Sequence, residues 1–307
     1  MQLNEIKSRE KGLSIINNLI KEQGIESIID LTGLAGGFNI TLEDITYLET
    51  YAGPAIFDEK IQELGKEHMG GEKILPLNRT SSGIVAMILT LVSKGTKIVH
   101  YLPKKPGHPS IQTAAKIVGA DYEEYTDIDE IKIDDNTSLV VITGTTMDYE
   151  VIDVEDFKKV IDKAKKHDII VFVDDASGAR LRRAAYNQPT AIDLGADLSV
   201  TSTDKLMEGP RGGLMAGSEE LINRIKLTVN KLGLEGQPPL VAGMVRGLDK
   251  YTPERIQTAF KQKDELNQKL KDKGLNPLPT PTGFMFKKKK YLMKLQNVEL
   301  KRMYLIM

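Results

Sequence analysis

The chain has 307 residues, 40% of them hydrophobic and 28% charged, with a formal net charge of −1 at pH 7. That length is enough for one large domain with a sizeable core and a smaller second domain, and the near-neutral charge gives no general pull toward nucleic acid or acidic membranes. There is no cysteine, which excludes disulfides, thiolate metal sites and cysteine nucleophiles. The four histidines, His68, His100, His108 and His167, do not pair at metal-ligand spacing. The opening MQLNEIKSREKGLSII mixes charges of both signs and lacks a signal-like apolar core. No apolar run approaches the ~20 residues a membrane-spanning helix needs, so a soluble, cytoplasmic protein is the default expectation.

In chain order, EIKSREKGLSIINNLIKEQGIESIIDL has apolar residues at helical spacing and predicts one or two amphipathic helices. GIVAMILTLVSKG, after LNRTSS, predicts a buried helix ending at Gly95. Strands and helices then alternate: TKIVHYLP as strand, SIQTAAKIVGA as helix, SLVVITG as strand, VEDFKKVIDKAKKH as amphipathic helix, DIIVFVDD as a strand apolar throughout, then DLSVTS and GGLMAGS. Short continuous apolar strands between helices mean a mainly parallel sheet covered on both faces; GLMAG, so soon after DLSVTS, is a candidate antiparallel member. SEELINRIKLTVNKLG opens with a capping-box pattern, and a long helix follows with Thr252 as N-cap and Pro253 at its start. NPLPTPTG reads as a Pro-rich turn or linker, and the Lys- and Met-rich tail reads as a small domain cut short or altered. The expected organisation is an N-terminal helical segment over 1–45, a large α/β domain over 46–235 and a small C-terminal domain over 236–307.

Ligands in open α/β sheets bind at the carboxyl ends of the strands, and four features fall there or at a helix start. NRTSSG, residues 78–83, offers two serines, Ser81 and Ser82, and free N–H groups at a helix start, a fit for phosphate; the plainer account is an N-cap by Thr80 or Ser81. His108 in GHPS can stack on an aromatic ring or shuttle a proton, or be a solvated loop residue. Asp174, the first polar residue past the apolar run in VFVDDASGAR, needs a partner in low dielectric, either an arginine or a protonated ring nitrogen of a ligand; Asp175 is an equal candidate for capping the next turn. In TSTDKLMEGPRGG, residues 201–213, Lys205 lies between a hydroxyl-bearing turn with Ser202 and a glycine-rich turn that lets backbone approach a ligand. A lysine held against a buried site loses its proton more readily and attacks carbonyls; an ordinary solvated lysine is the alternative.

In that order, a phosphate cradle, a ring-stacking histidine, a strand-end aspartate and a Schiff-base lysine are the parts needed to hold pyridoxal 5′-phosphate. Together these residues resemble the fold-type I pyridoxal phosphate enzymes, and more narrowly the archaeal proteins related to bacterial selenocysteine synthase, the L-seryl-tRNA(Sec) selenium transferase. TSTDKLMEGPRGGLMAGSEELINRIK resembles that family's lysine segment, and GMVRGLDKYTPERI its later R-x-D-K segment with Leu248 inserted. TGTTMDYEVIDVEDFKKVIDKAKKHDIIVFVDDAS and GHPSI resemble the oxoamine synthases. The resemblance covers about residue 47 to about residue 280. It implies a fold-type I α/β architecture, a mostly parallel sheet flanked by helices with a small C-terminal domain. It also implies Lys205 as the Schiff-base lysine, Asp174 on the pyridine nitrogen, His108 on the ring, and Ser81, Ser82 and Ser202 on the phosphate. Thr146 would approach the phenolate oxygen or the substrate, and Arg211, with Arg246 as a weaker candidate, would bind phosphate or a substrate carboxylate. Such enzymes are usually homodimers.

The leading expectation is a pyridoxal phosphate-dependent transferase or lyase on a small amino acid or amine, its reaction unresolved among elimination or replacement, transamination and decarboxylation. A transferase on aminoacyl-tRNA ranks below it, because tRNA binders usually show a basic footprint. A cofactor-binding protein with little catalysis is the third reading. G-x-x-x-x-G-K-[ST] does not occur, and GLAGG, residues 33–37, is a glycine-rich turn that does not match G-x-G-x-x-G.

Overall fold

A computed structural model describes residues 3–28, 37–146, 148–281 and 283–285. The N-terminal part carries helices α1 (Leu3–Gln23), α2 (Leu42–Leu48) and α3 (Ala52–Met69). Then follow β1 (Lys73–Leu77), α4 (Thr80–Leu91), β2 (Lys97–Tyr101), α5 (Pro109–Val118), β3 (Asp121–Tyr125), β4 (Thr137–Thr143), α6 (Val154–Lys165), β5 (Ile170–Asp174), α7 (Gly178–Tyr186), β6 (Leu198–Ser202) and β7 (Gly213–Gly217). Helices α8 (Glu219–Lys231), α9 (Pro238–Asp249) and α10 (Pro253–Asp272) lead to a hairpin of β8 (Leu278–Thr280) and β9 (Gly283–Met285).

The main sheet has the order β1-β7-β6-β5-β4-β2-β3, parallel except for β7, which is antiparallel to both of its neighbours. Alternate residues of each inner strand enter opposite cores, as the pleat requires. Ile98, Leu139, Val141, Phe172 and Val200 pack under α4, α5 and α8. Val99, Val140, Ile142, Val171 and Val173 pack under α6 with Phe157 and Val160. Both faces are covered, so DIIVFVDD is apolar throughout and does not alternate. Each fully buried side chain of this size contributes roughly 1.5–3 kcal/mol relative to exposure.

Several elements differ from the sequence-based expectation. The buried helix α4 stops at Leu91, short of Gly95. Its N-cap is Arg79, so Thr80 and Ser81 lie inside the first turn and cap nothing. Ser218 does cap α8, accepting from the Leu221 N–H at 3.3 Å, but Leu221 occupies the position a reciprocal Glu would need, and the box is half-formed. Thr252 is the N-cap of α10 without a side-chain bond. NPLPTPTG contributes strand β8 of the terminal hairpin. The tail over 286–307 and most of GLAGG lie outside the described residues. The expected boundary at 236 falls just before α9, whose Val241, Ala242, Met244 and Val245 pack in one core with Phe57 and Ile61 of α3 and Leu214 of β7.

Candidate functional site

Because β1, β2, β4, β5 and β6 run parallel, their carboxyl ends share one edge of the sheet. The start of α4, the loop holding His108, the turn after Thr143, the Asp174–Asp175 pair and the Lys205 loop all emerge there. The register puts Thr143 opposite Asp174, Asp174 opposite Val200, and Ser202 opposite Gly213.

The two aspartates are separated by their partners. Asp175 is clamped by the Arg182 guanidinium, Nε to Oδ2 at 2.9 Å and Nη2 to Oδ1 at 3.1 Å, with both side chains buried. A Cβ on Gly178 would lie 1.9 Å from Asp175 Oδ1, so only glycine fits beside this pair. Asp174 is also buried, yet its Oδ1 has no hydrogen-bond partner. Burial raises its pKa above the ordinary carboxylate value, and the nearby His108 and Lys205 charges pull the other way. The sequence left open whether an arginine or a ring nitrogen partners Asp174. The arginine belongs to Asp175, and a protonated ring nitrogen is the donor that would complete Asp174.

Lys205 is half-buried in the loop between β6 and β7. Thr203 closes that loop, its N–H donating to Gly212 O at 3.1 Å and its hydroxyl to Pro210 O at 2.5 Å. Leu206 follows in the left-handed region at φ 56°, which turns the chain directly after the lysine. From the N-terminal side, the Gly37 N–H donates to Gly209 O at 2.9 Å, and Asn39 Nδ2 to Glu208 O at 3.1 Å.

The first turn of α4 has no side-chain cap, and Thr80, Ser81 and Ser82 are its first three residues. A Cβ on Gly213 would come within 2.8 Å of Thr80 N, so β7 begins with backbone pressed against the helix start. Uncapped N–H groups and two hydroxyls there form an anion cradle suited to a phosphate. The residues present fit pyridoxal phosphate: the α4 turn offers donors suited to a phosphate, and Asp174 Oδ1 offers an unpartnered acceptor suited to a protonated ring nitrogen.

Other expected residues are placed differently. His108 is exposed at the N-cap of α5, its Nδ1 2.5 Å from Ser110 Oγ, and near enough to Asp174 to influence its charge. Thr146 is engaged in its own turn, donating to Asp148 Oδ1 at 2.5 Å and accepting from the Glu150 N–H at 3.1 Å, so a cofactor contact would compete with these bonds. The Ser202 hydroxyl donates to the Ala176 carbonyl at 2.8 Å, so a phosphate contact there would have to break that bond. Arg211 lies 3.6 Å from Asp204 and is half exposed. Arg246 forks onto buried Asp44, Nε to Oδ2 at 2.9 Å and Nη2 to Oδ1 at 2.7 Å, and so ties α9 to α2; a substrate anion would compete with that pair.

Sequence reasoning missed three residues. Arg79 is an exposed arginine at the N-cap of α4. His100 is fully buried in β2, with Nδ1 2.7 Å from Tyr122 OH and Nε2 2.8 Å from Thr143 Oγ1, and a Cβ on Gly107 would lie 3.0 Å from its Cε1. It therefore underlies the loop carrying His108. Arg180 is fully buried behind the Lys205 loop. A histidine inside an all-apolar strand and arginines on the buried stripe of a short helix were the available signals.

Among the described residues no group of acidic or histidine side chains could hold a metal ion, and no helix is long and apolar enough to cross a membrane. In comparison with known proteins, the chain is 74% identical over 285 residues to the UPF0425 pyridoxal phosphate-dependent protein of Methanosphaera stadtmanae, covering 93% of this chain and 74% of that one. It is 25% identical over 219 residues to the L-seryl-tRNA(Sec) selenium transferase of Mannheimia succiniciproducens, covering 65% of this chain and 47% of that one, so the resemblance read from the lysine segment holds. The N-succinyldiaminopimelate aminotransferase of Mycobacterium tuberculosis superposes with a TM-score of 0.59 at 16% identity, over 79% of this chain and 72% of that one, which shows the shared fold-type I architecture. The model of the Cys/Met metabolism PLP-dependent enzyme family matches residues 56–266, a span containing His108, Asp174 and Lys205. The chain belongs to that family of pyridoxal phosphate-dependent enzymes.

Proposed function

We propose that this enzyme carries its cofactor tethered to Lys205 Nζ and acts on a small amino acid or amine. The observation that carries the reading is the buried Asp174 carboxylate, whose Oδ1 lacks a partner while the neighbouring Asp175 is fully paired. When bound, pyridoxal phosphate supplies an electron sink for negative charge developing on the substrate carbon next to the amino group. Asp174 holds a proton on the ring nitrogen. The first turn of α4, with Ser81 and Ser82, holds the phosphate, and exposed Arg211 is the remaining candidate for a substrate or phosphate anion. His108 covers the ring. Lys205, once released from its tether, moves the proton at the substrate carbon.

The protein is further read as a cytoplasmic homodimer in which the large α/β domain precedes a small C-terminal one. Exposed Leu42 and Tyr51 near the N-terminal segment are compatible with a subunit contact. Light scattering at several concentrations tests the dimer.

The first test is borohydride reduction of the protein with added pyridoxal phosphate, followed by peptide mapping, for wild type and Lys205→Ala. Label on Lys205 alone in wild type, and its loss in the variant, is the expected result. A colourless wild type, or label on another lysine, would reject the reading. A second reading, a transferase on aminoacyl-tRNA, is favoured by the similarity to the selenium transferase of Mannheimia succiniciproducens. Salt-sensitive retardation of total tRNA in a gel would support it, and its absence would count against it.

A further inference from the structure

Among the described residues, Arg180 and Arg182 are fully buried, and the partly exposed Arg246 offers a comparison. Arg182 directs Nε and Nη2 at the Asp175 carboxylate, and Arg246 directs the same two nitrogens at Asp44. Arg180 is 0% exposed, yet its Nε and Nη2 have no hydrogen-bond partner. Its bonds all come from Nη1, which donates to Ser202 O at 2.7 Å, to Lys205 O at 3.1 Å and to Thr201 Oγ1 at 3.3 Å. All three acceptors belong to the end of β6 and the turn that carries the lysine.

A guanidinium taken from water without a carboxylate partner is costly. Burial pulls the pKa of Arg180 down to about 10, against smaller upward pulls from Tyr251, Asp204 and Asp175. Histidine 68 offers no compensation: it is buried nearby with Nε2 unpartnered, and burial first, then Arg180 and Arg183, hold it neutral. For core stability, a methionine of similar length would remove the cost of the buried charge, which offsets the loss of the Nη1 bonds. The geometry therefore assigns Arg180 a positioning role toward Lys205: one nitrogen joins the carbonyls of Ser202 and Lys205, and so sets where the turn closes and where the lysine side chain departs. The left-handed Leu206 immediately follows this clamp, so without it the turn has fewer constraints on either side of the lysine. This inference rests on the reading of Lys205 as the attachment point.

The test uses the full chain as wild type, Arg180→Met and Arg180→Lys. Each is measured for urea stability without cofactor, for the dissociation constant of pyridoxal phosphate, and for borohydride label at Lys205. Arg180→Met is expected to keep its cofactor-free stability, or gain some, while label at Lys205 falls about tenfold or more, the loss of one charge-assisted hydrogen bond. Arg180→Lys keeps a donor for the carbonyls and should lie between the other two. Wild-type label on another lysine would remove the attachment point and this proposal with it. Wild-type label on Lys205 with equal labelling of Arg180→Met would overturn this proposal alone. So would parallel loss of label and of stability in both variants, which is the pattern of a purely structural residue. Should Arg180→Met not fold, Arg180→Lys decides the matter: reduced label at unchanged stability supports the role, and wild-type label overturns it.

Discussion

Asp174→Asn and Asp175→Asn are chemically the same change at adjacent residues, and the structure predicts opposite effects on the cofactor-free protein. Asp175→Asn breaks a fully buried ion pair and leaves Arg182 with an uncompensated charge, a loss of about 3–5 kcal/mol. Asp174→Asn removes a buried carboxylate with one unpartnered oxygen, so it should stabilise by about 1–3 kcal/mol, a few degrees in Tm. The sign follows from the direction of the pKa. Asp174 is raised in the folded state, so the folded protein binds its proton more tightly than the unfolded chain does. Wild type is therefore penalised as pH rises above the ordinary carboxylate range. The gain in Asp174→Asn should be largest near pH 7 and shrink toward pH 4. Urea denaturation of both variants at pH 7, 5.5 and 4, with cofactor titration alongside, checks this. Asp174→Asn should combine higher stability with weak cofactor binding. Equal destabilisation by the two changes would show that Asp174 has an internal partner and would remove the main support for its contact with the ring nitrogen.

Other expectations are independent of that pair. Gly213→Ala places a methyl 2.8 Å from Thr80 N and should weaken cofactor binding through the phosphate cradle, at an overpacking cost of about 1–3 kcal/mol, read by equilibrium dialysis and urea midpoint together. His100 is held by burial at a pKa of about 3, so the unfolded chain binds more protons below its ordinary value of 6.5; stability should fall by about 2 kcal/mol from pH 7 to 5, and His100→Asn should flatten that slope in thermal scans. Arg246→Met leaves buried Asp44 without its arginine, with only the Thr41 N–H remaining, and should cost about 1–3 kcal/mol in urea while borohydride label at Lys205 persists. Arg246 holds the Asp44 pKa at about 2, so that pair's contribution is present above the ordinary carboxylate pKa and is lost as pH falls toward 2.

The interior of the fold was legible because both sheet faces are covered. Strands β2, β4, β5 and β7 carry short, largely apolar runs that suit a buried sheet, and the antiparallel sense of β7 was suggested by its short distance to β6. The edges were not legible. Strand β1 contains Pro76 and pairs on one side only, which an edge position tolerates. Strand β3, DYEEY, is polar because it too is an edge strand, the usual defence against unwanted pairing. Helix α7, GARLRRAAY, was missed because its buried stripe is built partly from Arg180 and Arg182.

The same limit governs the site. Sequence names residue types at strand ends, and types alone could not separate Asp174 from Asp175, or Arg211 from Arg246. What separates them is whether the chain supplies each buried polar group with a partner. Asp175, Asp44, Arg182, Arg246 and Thr146 all have partners within the chain. Asp174 Oδ1 has none, the half-buried first turn of α4 has no side-chain cap, and both lie on the one sheet edge where Lys205 emerges. A native fold keeps few buried polar groups unpaired, because each costs about 1–3 kcal/mol. Two features of complementary chemistry, an acceptor for a ring N–H and donors for an anion, on the sheet edge that also carries half-buried Lys205 are therefore best explained by one ligand that meets both. Arg180 extends the argument: its Nε and Nη2 have no hydrogen-bond partner, while its bonded nitrogen holds the turn that delivers the lysine.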